Sequence, residues 1–146
     1  MSAADDFLKE IETIKLNIDA ELTRRAWLGS NELRNASQLV LRGARGGRTY
    51  RVPGTKAYYQ ASAPGEPPAV RTGAFRGSWD RSYFAGFGSY ISRIESSLQV
   101  GTKRSYVLGE LLEKGTSKMA PRPHHDRILE KAEPKIVQIY DKPYDV

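Results

Sequence analysis

The chain has 146 residues, enough for one domain with one hydrophobic core, and a composition of 39% hydrophobic and 27% charged residues excludes disorder along its whole length. A net charge of +6 admits an anionic partner, and the absence of cysteine excludes disulfides, thiolate metal sites and cysteine nucleophiles. The acidic start, Met1-Ser2-Ala3-Ala4-Asp5-Asp6, is unlike the basic head of a signal peptide, and no apolar run nears the roughly 18 residues that span a bilayer, so a soluble protein made in the cytoplasm, with no membrane partner, is expected.

Over residues 4–28 the apolar side chains Phe7, Ile11, Ile14, Ile18 and Leu22 recur every three or four positions, which predicts a helix with one apolar stripe. Lys9, Glu10, Glu12, Lys15, Asp19 and Glu21 form its wet face, so the stripe calls for a sheet or another subunit to pack on, with ordinary core packing the simpler reading. Gly29-Ser30 interrupts the pattern. Ser30 is placed to cap a second helical segment carrying Leu33, Ala36 and Val40, or the two pieces form one long bent helix.

After Leu41 the character changes. Arg42, Arg45, Arg48 and Arg51 stand among Gly43, Gly46 and Gly47, a flexible cationic stretch from which no core is expected. Pro53-Gly54, Tyr58-Tyr59 and the proline-rich run up to Pro68 extend it into an arm over about 42–71, with a short hairpin around 49–60. A loop of that length in a compact domain is usually functional or disordered, which makes it the candidate for contact with neighbours.

Thr72-Gly73 is placed to start a short helical turn, and strand-like runs at 78–84 and 90–100 are joined across Gly86-Phe87-Gly88 as a hairpin. In the second run Tyr90, Ser92, Ile94, Ser96, Leu98 and Val100 point one way and Ile91, Arg93, Glu95, Ser97 and Gln99 the other. Tyr106, Val107, Leu108, Leu111 and Leu112 predict a short buried helix that stops at Gly115. The last helix is predicted to begin near Pro123 and to use the face Ile128, Leu129, Ala132, Ile136 and Ile139 or Tyr140, with a kink at Pro134. The sum is a single α+β domain over 1–146: a long N-terminal helix, an antiparallel sheet with an extended arm or hairpin, and a C-terminal helix packed on the sheet.

His124-His125-Asp126 has the residue types of a metal site, but adjacent residues on a helix do not face one another, and no other histidine exists. A solvated helix start, with Asp126 favouring the helix dipole, is the expectation. No Gly-x-Ser-x-Gly elbow, phosphate loop or dinucleotide fingerprint is present, so neither an enzyme nor a cofactor or metal is expected. The arginines of 42–51, with Tyr50, Tyr58 and Tyr59, suit phosphates and bases, and they equally suit an adjoining protein surface.

Two segments carry a resemblance. Ser62-Ala63-Pro64-Gly65-Glu66-Pro67-Pro68-Ala69-Val70-Arg71-Thr72-Gly73-Ala74-Phe75-Arg76 is followed, after Tyr106, by Leu112-Glu113-Lys114-Gly115-Thr116-Ser117-Lys118-Met119-Ala120-Pro121-Arg122-Pro123. In order and distance they resemble the bacteriophage neck, head-tail joining or tail-completion family typified by the tenth gene product of phage HK ninety-seven. The likeness covers about 62–132. Lys114 replaces a common aromatic residue, His124-His125 an aromatic and an aliphatic one, and the stretch 42–51 has no counterpart.

The resemblance implies a structural virion protein, a ring-forming subunit at the head-tail connection, made in the host cytoplasm. Its partners would be copies of itself, connector or head-completion proteins, and tail-tube or terminator proteins. Pro64, Gly65, Pro67, Pro68, Thr72, Gly73, Glu113, Gly115, Thr116, Met119, Pro121, Arg122 and Pro123 would shape the subunit or partner interface. Arg42, Arg45, Arg48 and Arg51 would face genomic DNA in the lumen, or a partner. The alternative is a small basic nucleic-acid-binding module.

Overall fold

In a computed structural model of the chain, which describes residues 2–101 and 103–145, the first element is a single helix, α1 (Ala3–Val40). Ser2 and Asp5 start it as a reciprocal capping box, the Asp5 N–H donating to the Ser2 hydroxyl and the Ser2 N–H to the Asp5 carboxylate. The helix does not break at Gly29-Ser30. Ser30 caps nothing there; it is buried, and its hydroxyl donates back to the Trp27 carbonyl at 2.6 Å. Gly29 is present for close approach, because a Cβ there would collide with the Ser92 hydroxyl on the strand alongside, which donates to the Ala26 carbonyl at 2.7 Å.

Three separate two-stranded antiparallel sheets follow instead of one continuous sheet. β1 (Thr49–Arg51) pairs with β2 (Tyr58–Gln60) as the small hairpin predicted near 49–60. After the short α2 (Ala74–Gly77), β3 (Trp79–Gly86) and β4 (Ser89–Ser96) form the main hairpin, in register from Trp79 opposite Ser96 to Gly86 opposite Ser89. Phe87 and Gly88 make its turn, both with positive φ, the backbone twist that suits a two-residue hairpin. Tyr90, Ser92, Ile94 and Ser96 are half-buried and alternate with exposed Ile91, Arg93 and Glu95, as their spacing predicts. The run does not reach residue 100 as one strand. β4 ends at Ser96, and β5 (Gln99–Val100) pairs with β6 (Tyr106–Val107).

Tyr106 is therefore an exposed strand residue and not part of a buried helix. The helix is α3 (Leu108–Lys114), in which Gly109 is buried against the Phe75 ring, Leu108, Leu111, Leu112 and Glu113 are half-buried, and Glu110 and Lys114 are exposed. α4 (His125–Asp141) starts two residues beyond Pro123, with His124 as its N-cap, and runs through Pro134. Ile128 and Ala132 are buried and Ile136, Ile139 and Tyr140 half-buried, whereas Leu129 lies off the seam and is exposed.

The core is small: Leu33, Ala36 and Leu41 from the end of α1, Trp79 from β3, and Ile128 and Ala132 from α4, ringed by Val40, Phe75, Ile94 and Ile136. Leu41 is thus a core residue at the very edge of the arginine-rich stretch. α1 packs on α4 and on the β3–β4 hairpin only from about its middle onward. Where this contact starts, Arg25 is buried and binds the Glu21 carboxylate at 2.9 Å and the Tyr140 and Pro143 carbonyls at 2.8 and 3.1 Å, with its guanidinium 3.9 Å from the centre of the Tyr144 ring. Among the described residues, no helix is long and apolar enough to cross a membrane.

Candidate partner interface

The two segments that carry the family resemblance lie against each other. The Gly65 N–H donates to the Pro121 carbonyl at 3.2 Å, Arg122 Nε donates to the Ser62 hydroxyl at 2.9 Å, and the Arg127 guanidinium reaches the Gly65 carbonyl at 2.6 Å. Gly65 has φ 84°, which lets the chain turn back after Pro64. Pro67 and Pro68 are buried, and both of their carbonyls accept from Arg45. Thr72 is exposed, and its hydroxyl accepts from the Ala74 N–H while Gly73, at φ 83°, opens α2.

In the second segment the Thr116 N–H donates to the Met119 carbonyl at 2.8 Å and the Met119 N–H returns a bond to the Thr116 carbonyl at 3.3 Å. The Arg122 N–H then donates to the Leu112 carbonyl at 2.6 Å, and half-buried Pro123 leads into α4. Gly115 makes this turn possible, with φ 76° and ψ 179°; a Cβ there would sit 2.8 Å from both the Met119 oxygen and the Pro121 nitrogen. Gly115→Ala is therefore expected to cost about 2 kcal/mol, seen as a lower urea midpoint at unchanged slope.

The loop over 42–71 is only partly an arm. Arg45 is half-buried and donates to the carbonyls of Val40, Pro67 and Pro68, so it clips the loop's two ends to the end of α1 instead of facing a lumen or partner. Glu66 fastens the same ends by accepting from the Gly46 and Ala63 N–H groups at 2.9 and 2.8 Å, which holds its carboxyl below the usual range. Beyond this clip the β1–β2 hairpin projects, with Arg48, Arg51, Tyr50 and Tyr58 exposed and Arg42 exposed at its base. Arg51 donates to the Thr55 carbonyl across the hairpin's loop at 2.9 Å.

The start of α4 is solvated as the sequence predicts at His125 and Asp126, which are exposed, but not at His124, which is 0% exposed and packed edge-on against Phe75 and Trp79. The side chain that ties this triplet down is Glu113 of α3, two residues before Gly115. Its carboxylate accepts from the His124 and His125 N–H groups at 2.8 and 3.2 Å and lies 3.0 Å from His124 Nδ1, capping α4 from another helix. Among the described residues, Glu113, His124 and His125 form one group able to hold a metal ion, with ligand atoms all within 4.8 Å of one another. The carboxylate's two backbone donors account for its position without an ion.

Burial holds the His124 imidazole below its ordinary value of 6.5, against the Arg122 carbonyl and the Glu113 charge, which favour protonation, while His125 adds to the lowering. Partial burial pulls the Glu113 carboxyl up, but the two N–H donors and the two rings outweigh it and leave it lowered from 4.5. In both cases the unfolded chain binds the proton first, so stability falls with falling pH, through His124 below about 6.5 and through Glu113 below about 4.5. The urea midpoint should drop between pH 7 and pH 5, and His124→Phe should flatten that drop.

A row of exposed apolar side chains lies on the first half of α1. Residues 2–20 are exposed throughout, so the stripe Phe7, Ile11, Ile14 and Ile18 contacts no core; Phe7 is 62% exposed. At the motif end, an open cleft of about 550 Å³ is lined by residues of both segments, among them Val70, Phe75, Leu112 and Met119 together with Arg71, Arg76 and Arg122. The chain matches no family model, no curated protein and no solved structure.

Proposed function

We propose that this protein is a structural component of a tailed-phage virion, a ring-forming neck or tail-completion subunit at the head-tail connection. The observation that carries this reading is the bare half of α1. About 18 residues of helix standing in water are marginal by themselves, and a row of four large apolar side chains along them calls for cover by a neighbour in an assembly. The two segments resembling the phage family support it further, because they meet in space and shape one end of the molecule. In this reading copies of the chain surround a lumen toward which Arg42, Arg48 and Arg51 present charge, between connector or head-completion proteins on one side and tail-tube or terminator proteins on the other.

Light scattering of the purified chain across concentration, with and without a short DNA duplex, tests it. A closed oligomer indifferent to the duplex is the expected result. A monomer that binds duplex tightly at physiological salt would replace the ring by a nucleic-acid-binding module, the reading that exposed Arg42, Arg48 and Arg51 beside Tyr50 and Tyr58 favour. A monomer indifferent to DNA would rule out assembly by the chain alone.

A further inference from the structure

We infer that the free half of α1 docks, through its apolar stripe, in the arginine-lined cleft of a second copy of the same chain. The inference rests on the reading of the chain as a subunit of a homo-oligomer and names the surfaces that join one subunit to the next.

The two surfaces match in polarity and charge. The stripe Phe7, Ile11, Ile14 and Ile18 is flanked over residues 2–21 by six acidic side chains, Asp5, Asp6, Glu10, Glu12, Asp19 and Glu21, against two lysines. This segment of net charge −4 belongs to a chain whose total is +6, so the remainder is strongly basic. The cleft is lined mainly by apolar side chains with three arginines, and no acidic residue is among those that line it. An amphipathic helix laid in an apolar groove is a recurrent mode of recognition, and opposite potentials set its orientation.

Geometry excludes docking of this half of α1 in the cleft of its own chain. Leu41, directly after α1, lines the cleft, while the stripe occupies the first turns of the same helix. A helix of 38 residues is about 57 Å long, so stripe and cleft sit toward opposite ends of a rod. Donor and acceptor surfaces on one chain, in equal number and unable to meet within it, make a head-to-tail contact. Repeated about an axis, such a contact closes into a ring.

The chain has no cysteine, so single-cysteine variants report the contact directly. Full-length Ile14→Cys and Val70→Cys chains are mixed under mild oxidation, with Ile14→Cys plus Ser97→Cys as control; Ser97 is exposed and lies outside the cleft. In parallel, light scattering follows the unmodified chain and the Ile11→Asp/Ile14→Asp double variant, whose substitutions lie outside the core and whose fold is checked by circular dichroism. The expected result is a mixed cross-link at least tenfold above the control, and an assembly that falls to monomer in the double variant. A closed oligomer that survives the double variant, with no cross-link above control, overturns this inference and leaves the ring standing. Cross-linked open chains in place of a closed oligomer uphold the contact and overturn the ring. A chain that stays monomeric without the cross-link overturns this inference and, for the ring, rules out assembly by the chain alone.

Discussion

Trp79→Ala is expected to cost about 4 kcal/mol and to leave much of the chain unfolded at 37 °C. Trp79 is 4% exposed and stands where α1, α2 and α4 meet, its ring 5.7 Å from Phe75, 5.8 Å from His124 and 6.1 Å from His125. The buried apolar cluster has six members, of which it is the only aromatic one, so no other side chain can fill the space it leaves. Trp79→Phe should lose far less, about 1 kcal/mol, because it keeps a ring in the site and removes an indole N–H that is buried without a protein acceptor. Urea unfolding of the two variants, followed by circular dichroism, measures the difference. Equal losses would mean that the indole's second ring adds as much as the whole aromatic anchor.

Arg25→Ala is expected to be nearly as damaging, about 3 kcal/mol, for a different reason. The guanidinium satisfies two carbonyls at the end of the chain and the Glu21 carboxylate and stacks on Tyr144, and alanine leaves the two carbonyls without this donor and Tyr144 without its stacking partner, while Glu21 keeps only Arg24. Arg25→Lys restores the charge but not a planar fork that reaches three acceptors, so it should recover less than half of the loss. The effect should be local as well as global. Hydrogen exchange should quicken over residues 140–145 in both variants even where the rest of the domain remains protected.

The regular elements were legible in the sequence wherever one periodicity ran unopposed. The stripe of α1, the alternation of β4 and the face of α4 each follow from residue spacing. What spacing did not show was the other side of a contact. Gly29-Ser30 reads as a break because glycine is a poor helix former, and only the strand alongside, with Ser92 against that glycine, explains its place in mid-helix. Arg45 reads like its neighbours Arg42, Arg48 and Arg51, and nothing local marks it as the one whose donors are spent on carbonyls twenty-odd residues away.

Nothing local marks Arg25 either, because two of its acceptors, the Tyr140 and Pro143 carbonyls, are more than a hundred residues away. The burial of His124 is likewise illegible in the spacing, because Glu113 is eleven residues away and on another helix. The apolar stripe of α1 was correct as a pattern and silent about its partner, since a side chain awaiting the core and one awaiting another molecule have the same chemistry. The resemblance implies an interface for its first segment but does not show that Pro67 and Pro68 within it are buried, their carbonyls bound by Arg45.

α1 also has a mechanical consequence. No glycine or proline occurs in it before Gly29, so the exposed half and the packed half are one rod without a joint. Glu21, held by Arg24 and Arg25, marks the fulcrum. A sideways load on the free end is then transmitted as torque to the point where Arg25 grips the chain's last residues and, a few turns on, to the cluster around Leu33 and Trp79. A subunit built this way yields by loosening its own core rather than by swinging its arm, so its neighbours are held at a fixed angle for as long as the domain stays folded.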